Sequence, residues 1–322
     1  MRIVRTLQRL PPSLRGAAVA VGNFDGVHRG HLVVVDAARA AAQKLGVPLG
    51  VLTFEPHPRE LFRPQDPPFR LTQFRGKALR LREEGVEVCY VANFTRTFSR
   101  LSAHAFVEDV LVGSLGVRHL AVGEDFVFGQ GRTGNAILLR DSAQRRGFGL
   151  TLVAPAGAGA TTVFKSSAIR VLLTEGRPRE AAEVLGAWWR VTGRVRHGDA
   201  RGRDLGYPTA NLALGPLVRP RYGIYAVWVT IEGQGPRPAV ANLGIRPMFG
   251  ADQPLLEVHL FDFAGDLYGS HLCVDVVEYL RPEAKFADLP ALIRQMDADS
   301  AQARALLAKP ENAPGRFHRA TA

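Results

Sequence analysis

Cysteine is almost missing: two residues in 322, Cys89 in "EVCYV" and Cys273 in "HLCVDVV". Both runs read as apolar strands far apart in the chain. Buried free thiols are therefore expected, and a disulfide framework or cysteine metal centre is not. No run approaches the ~20 apolar residues of a membrane span. The opening "MRIVRTLQRLPPSLRG" has charge but no apolar core and no small-residue cleavage site, so it reads as mature cytoplasmic protein without an export signal. Positive charge is plentiful, at +11, with arginine far outnumbering lysine. Yet it gathers into no Lys/Arg block, zinc-finger spacing or aromatic-basic signature. Neither nucleic acid nor membrane is an expected partner, and anionic small molecules fit the charge. Homo-oligomerisation stays open.

The length favours two domains and the 46% apolar content supports packed cores. In the first half, apolar strands ("AAVAVG", "LGVLTFEP", "VEVCYVANF", "VRHLAVGEDF", "FGLTLVAP") alternate with helical patterns closed by glycine. An open parallel sheet covered on both faces is predicted, an α/β domain. After "AWWRVTG" the pattern becomes period-two runs between Gly/Pro/Asp turns, predicting an antiparallel β-barrel or sandwich closed by one amphipathic helix, "ADLPALIRQMDADSAQARALLA". The predicted divisions are 1–182, 183–308 and a disordered tail, 309–322.

"VAVGNFDGVHRGH", residues 19–31, lies where a strand gives way to a helix, the usual ligand edge of a parallel sheet. It is neither a GxGxxG fingerprint nor a GxxxxGK[ST] loop. Gly22, Gly26 and Gly30 let backbone approach a ligand, and the helix start offers N–H groups to an anion. His28 and His31, three apart, can face one phosphate. Two other readings remain at this point: zinc shared with Asp25, or one histidine capping the helix and the other packing.

Downstream, "GRDLGYPTANL" follows the first barrel strand. Thr209 and Asn211 are two apart, so in extended chain their oxygens share a face and can hold Mg²⁺ and nucleotide phosphates. Glu257, in the apolar strand "LLEVHLFDF", shares its face with Leu255 and His259; it is either structurally paired or has a task.

The first stretch resembles the HxGH signature of nucleotidyltransferases, in the form G-x-F-D-G-x-H-x-G-H of the bacterial bifunctional riboflavin kinase/FAD synthetases. The likeness continues through "LTFEPHP", "VGEDFVFGQGRTGN" and "KSSAIRVLL". It then runs through "RGRDLGYPTANL", "NLGIRPMFG", "DLYG" and "LRPEAKF", in order over almost the whole chain. The resemblance implies a Rossmann-like nucleotidyltransferase domain that adenylylates FMN to FAD and releases pyrophosphate. Its ATP site would use His28, His31, Gly22, Phe24, Asp25, Gly26, Gly30, Asp125, Arg132, Ser166, Ser167 and Arg170. It further implies a barrel that phosphorylates riboflavin to FMN. There Glu257 is general base, Gly202, Gly206, Thr209 and Asn211 bind Mg-ATP, and Arg281 and Phe286 lie near the flavin. Lys165, Ser167, Ala168 and Met248 depart from the family pattern. A chain with one degenerate half, a basic nucleic-acid-binding or flavin-sensing regulator, and a flavoprotein oxidoreductase are the competing readings. The intact residue sets, the scattered charge and the missing dinucleotide fingerprint respectively weigh against them.

Overall fold

A computed structural model describes residues 1–154, 164–197, 206–245 and 254–317. The chain forms two compact units. The first is Met1–Asp66 with Lys77–Phe164; the second is Pro67–Gly76 with Lys165–Ala322.

The first unit carries a six-stranded sheet in the order β1-β4-β3-β2-β5-β6, every pair parallel. Its strands are β1 (Arg2–Val4), β2 (Ala18–Val21), β3 (Leu49–Glu55), β4 (Val88–Asn93), β5 (His119–Gly123) and β6 (Gly149–Val153). All four residues of β2 are buried, as in a sheet covered on both faces. Helix α1 (Arg29–Leu45) buries Leu32, Val35, Ala38 and Ala42 along one stripe and ends at Gly46 in the left-handed conformation. The short α2 (Pro58–Phe62), α3 (Phe74–Glu83) and α4 (Arg96–Ser99) follow. Then comes α5, in which Ala103–Ala105 runs on into a π-helical stretch, Phe106–Ser114. Helix α6 (Ala136–Arg146) is capped by the Asn135 side chain, which accepts from the Ile137 and Leu138 amides. Strand order reverses between β2 and β5, so their carboxyl ends form the switch point where such sheets open a crevice.

The second unit holds β7 (Trp189–Arg194), β8 (Ala210–Ala213), β9 (Gly223–Ile231), β10 (Pro236–Ile245), β11 (Pro254–Leu260) and β12 (His271–Arg281). They pair antiparallel in the order β7-β12-β9-β10-β11-β8. The Arg196 amide donates to the Asn211 carbonyl at 3.0 Å and brings the chain after β7 onto β8, closing the barrel. Trp189, Val191, Tyr225, Leu243, Leu256 and Val276 line the interior. Helix α9 (Leu289–Leu307) covers the outer face of β9 and β10, where Ala303 and Leu307 meet Ala226, Trp228 and Val240.

Two features differ from the sequence pattern. Helices α7 (Ser166–Thr174) and α8 (Pro178–Leu185), with the 67–76 segment, group with the barrel. Trp189 Nε1 donates to Leu71 O at 2.9 Å and Arg170 Nε to Phe69 O at 2.6 Å. The tail expected to be disordered folds back over its described part, 309–317. Trp228 Nε1 donates to Asn312 O at 2.7 Å, Trp188 Nε1 to Ala313 O at 3.1 Å, and Phe317 packs edge-on against Trp188. Two indole N–H groups on the barrel wall need acceptors, and the tail's carbonyls supply them.

Both cysteines are free thiols, Cys89 buried and Cys273 half-buried. Burial pushes the Cys89 thiol up to about 11.

Candidate functional site

At the switch point, β2 ends at Val21 and the chain turns sharply before α1. Phe24 (φ 48°), Gly26 (φ 91°) and Val27 (φ 47°) are left-handed. A β-branched residue there is strained, and each non-glycine costs about 1–3 kcal/mol, so the surroundings must hold the turn. Phe24, Asp25, Val27 and His28 are all buried.

His28 is the cap of α1. Its Nδ1 accepts from the His31 amide at 3.3 Å, which places the ring proton on Nε2. The two imidazoles stack 3.6 Å apart. A Cβ on Gly30 would lie 3.0 Å from Phe164 O and 3.2 Å from the His28 ring, so glycine packs tightly beneath the pair and a side chain there would have to push its neighbours aside. His31 titrates well below its ordinary value near 6.5, first because it is buried, then because of His28 and of Lys77. Among the described residues the buried His31 Nδ1 meets no hydrogen-bond partner. The capping reading thus holds for His28, and His31 packs against it. Among the described residues no group of three or more His, Cys, Asp or Glu could hold a metal ion.

Under the turn sits Lys77, fully buried. Its Nζ reaches Asn23 O at 2.8 Å, Thr53 Oγ1 at 3.2 Å and Glu55 Oε1 at 2.7 Å. Beside it, along the carboxyl ends of β3–β5, runs a chain of aromatic rings: Phe62, Phe94, Phe54, Phe98, Phe106 and Phe128, with Phe126 stacked on Phe128. Phe62 is largely exposed.

After β5, Asp125 and Arg132 are exposed; Arg132 is left-handed at φ 60°. The Asp125 carboxylate folds over Gly123, whose absent Cβ would stand 2.8 Å from it. Ser166 and Ser167 open α7 with Ala168, after Lys165, whose side chain makes no cap. Together with Arg170, which packs on the Phe69 ring, they belong to the second compact unit.

In the barrel, strand register brings the second set of expected residues together. Glu257 on β11 lies directly opposite Asn211 on β8 and opposite Asn242 on β10. Paired residues share a face, so three polar side chains form a row outside the barrel, while Leu212, Leu256 and Leu243 point inward. Asn242 Nδ2 donates to Glu257 Oε2 at 3.3 Å, and among the described residues its buried Oδ1 meets no partner. A carboxylate only accepts, which fixes the amide orientation. His259, on the Glu257 face, bonds Pro208 O through Nδ1 at 3.0 Å, and Tyr207 OH bonds Asp297 of α9. The arm carrying Thr209 and Asn211 is thus tied at two points. Gly206 is left-handed at φ 80° with open space around it, so backbone conformation is what calls for glycine. Gly202 and Met248 lie outside the described residues.

Arg281 and Phe286 do come together, 5.8 Å from guanidinium to ring centre. The guanidinium is clamped on Asp299 by bonds of 2.8 and 2.6 Å. The sequence reading missed Lys77, Thr53 and Glu55, the aromatic chain, and Asn242. Asn242 sits in the quoted "NLGIRPMFG", where its pairing with Glu257 was the missing signal.

A family model described as FAD synthetase matches residues 10–167, and one described as riboflavin kinase matches residues 185–307. A bifunctional riboflavin kinase/FMN adenylyltransferase of Escherichia coli (strain K12) is 40% identical over 305 residues, covering 94% of this chain and 97% of that protein. Its counterpart in Pseudomonas fluorescens is 43% identical over 316 residues, 96% of this chain and 98% of that one. Among solved structures, a macrolide-efflux protein from Streptococcus pneumoniae superposes with a TM-score of 0.80 at 30% identity, covering 94% of this chain and 98% of the other. Here, among the described residues, no helix is long and apolar enough to cross a membrane.

Proposed function

The chain belongs to the bifunctional riboflavin kinase/FMN adenylyltransferase family, and we propose that its two activities divide between the two sites just described. The carrying observation is that the two family models fall in the same chain order as the two sites, the histidine turn in one and the Asn211–Glu257 row in the other.

In the barrel, Glu257 takes the proton of the riboflavin 5′-hydroxyl as its oxygen attacks the γ-phosphorus of ATP in line. Asn242 holds the carboxylate from one side. Asn211, opposite on the other side, and Thr209 on the same arm meet the nucleotide. The Thr209 hydroxyl, Asn211 amide oxygen and Glu257 carboxylate are the hard oxygen donors that Mg²⁺ prefers, and the first two would hold it. When bound, the ion neutralises phosphate charge. Gly202 and Gly206 belong to the same ATP site. Arg281, already neutralised by Asp299, positions Phe286 at the flavin and does not bind an anion itself.

In the first unit, a phosphate oxygen of FMN attacks the α-phosphorus of ATP and pyrophosphate leaves. The bond formed and the bond broken are both P–O, and no covalent enzyme intermediate is needed. His28 Nε2–H and the ring edge of His31 donate to phosphoryl oxygens as charge builds there, and the N-terminus of α1 adds its positive end. Gly22, Gly26 and Gly30 let backbone come close, and Asp125 and Arg132 belong to the same ATP site; Ser166, Ser167 and Arg170, which the family resemblance also assigns to ATP, lie in the other compact unit. The exposed Phe62 ring and the Phe126–Phe128 stack offer the apolar surface an isoalloxazine needs.

The test is purified protein with riboflavin, ATP and Mg²⁺, the flavins separated over time. FMN followed by FAD supports the reading; unchanged riboflavin overturns it.

A further inference from the structure

We infer that Lys77 is a positioning residue for FMN adenylylation: its buried ammonium holds the Asn23–Val27 turn in the shape that aims His28 and His31 at the substrate phosphates. The inference rests on the adenylyltransferase reading of that turn.

Lys77 lies in the helix "FRGKALRLRE", among three arginines. Arg75 and Arg82 are exposed, as cations on such a helix usually are. Lys77 is not: it is completely buried. A buried ammonium is costly unless its donors are met. Here it faces a carboxylate, a hydroxyl and one main-chain carbonyl. The carbonyl is that of Asn23, the first residue of the strained turn. Thr53 Oγ1 donates to the same oxygen at 3.1 Å, closing a triangle of Lys77, Thr53 and Asn23. An ion pair that merely neutralised Glu55 would not need to reach that backbone atom.

The mechanical consequence follows along the chain. With Asn23 O fixed from below, the left-handed Phe24, Gly26 and Val27 lift the backbone over to His28, the cap residue. Phe24 then rests tilted against the His31 ring, 5.3 Å between centres. Releasing Asn23 lets the strained residues relax, and the stacked imidazoles move with them. The ionisable groups acting on His31 are His28 on its own helix and Lys77 from α3, and the ammonium helps keep His31 neutral.

The test uses the whole chain, in which riboflavin phosphorylation monitors the other site. Native protein must first form FAD from FMN; if it does not, the adenylyltransferase reading itself fails. Lys77→Met is expected to phosphorylate riboflavin at the native rate. Its kcat for FMN adenylylation should fall about 10²-fold, the size of a small misplacement of reacting groups, with KM for FMN and ATP little changed. Lys77→Met also strands the Glu55 carboxylate, so the deciding variant is Lys77→Met with Glu55→Leu, which removes both partners of the pair. It is expected to regain native thermal stability while adenylylation stays low. Recovery of adenylylation in the double variant would overturn the inference, as would a rise in KM at constant kcat. Failure to regain stability overturns it too, because Lys77 would then be a structural residue.

Discussion

In the α/β unit the side chains proposed to act on substrate hang on backbone that departs from regular structure, while in the barrel they hang on backbone that keeps it. His28 and His31 follow three left-handed residues and are braced by a buried lysine. Glu257, Asn211 and Asn242 need no unusual dihedral, since cross-strand register alone lines them up. The chemistry explains the contrast. Adenylyl transfer without a covalent intermediate asks for donors crowded around one phosphorus, so glycine and strain bring backbone and rings close. The kinase step asks for a base and phosphate ligands at fixed spacing, which strand pairing supplies.

The comparison breaks most visibly at the histidines. His28→Ala with His31→Ala is expected to lower FMN adenylylation by about 10³-fold or more, given the ~10²–10³-fold worth of a single preorganised donor. Riboflavin phosphorylation should continue, read as accumulation of FMN. Glu257→Gln is the mirror image. Phosphorylation is expected to fall about 10²–10⁴-fold, the range for a lost general base, with FMN still converted to FAD. Asn242→Leu sharpens the register argument. It leaves the barrel fold and its cross-strand backbone bonds in place but removes the amide from Glu257, so kcat for phosphorylation should drop about tenfold, in line with one hydrogen bond to a charged group. An unchanged kcat would mean register alone orients the base.

The smallest expected effect is on stability. His31 is held neutral in the folded chain, with its pKa below the ordinary value near 6.5. Between those two values the unfolded chain binds a proton that the folded one does not. The contribution is therefore fully present above about pH 6.5 and is lost as pH falls toward the folded pKa. The thermal midpoint of the native chain should decline on acidification through that window, and His31→Gln should flatten the decline.

Much of this was legible in sequence. Strand–helix alternation and glycine stops marked the parallel sheet, and period-two runs marked five of the six barrel strands, all but the four-residue β8. The residues Gly22–His31, Thr209–Asn211 and Glu257 stood out by type and spacing. What escaped had no local signature. Strand β1 is three residues long at the sheet edge and is defined by pairing with β4, more than eighty residues away. Lys77 looks like any helix cation until Asn23 O is found above it. The carboxy-terminal segment reads as disordered because it is a chain end, but two indole donors give its carbonyls a use.

Two separable sites on one chain is the central claim, and a mixing assay tests it most directly. The Glu257→Gln chain and the His28→Ala/His31→Ala chain are each given riboflavin, ATP and Mg²⁺, alone and together. Alone, the first is expected to leave riboflavin unchanged and the second to stop at FMN; mixed, they should carry riboflavin through to FAD. A mixture that forms no FAD, although each chain retains its own half-reaction, would contradict the account.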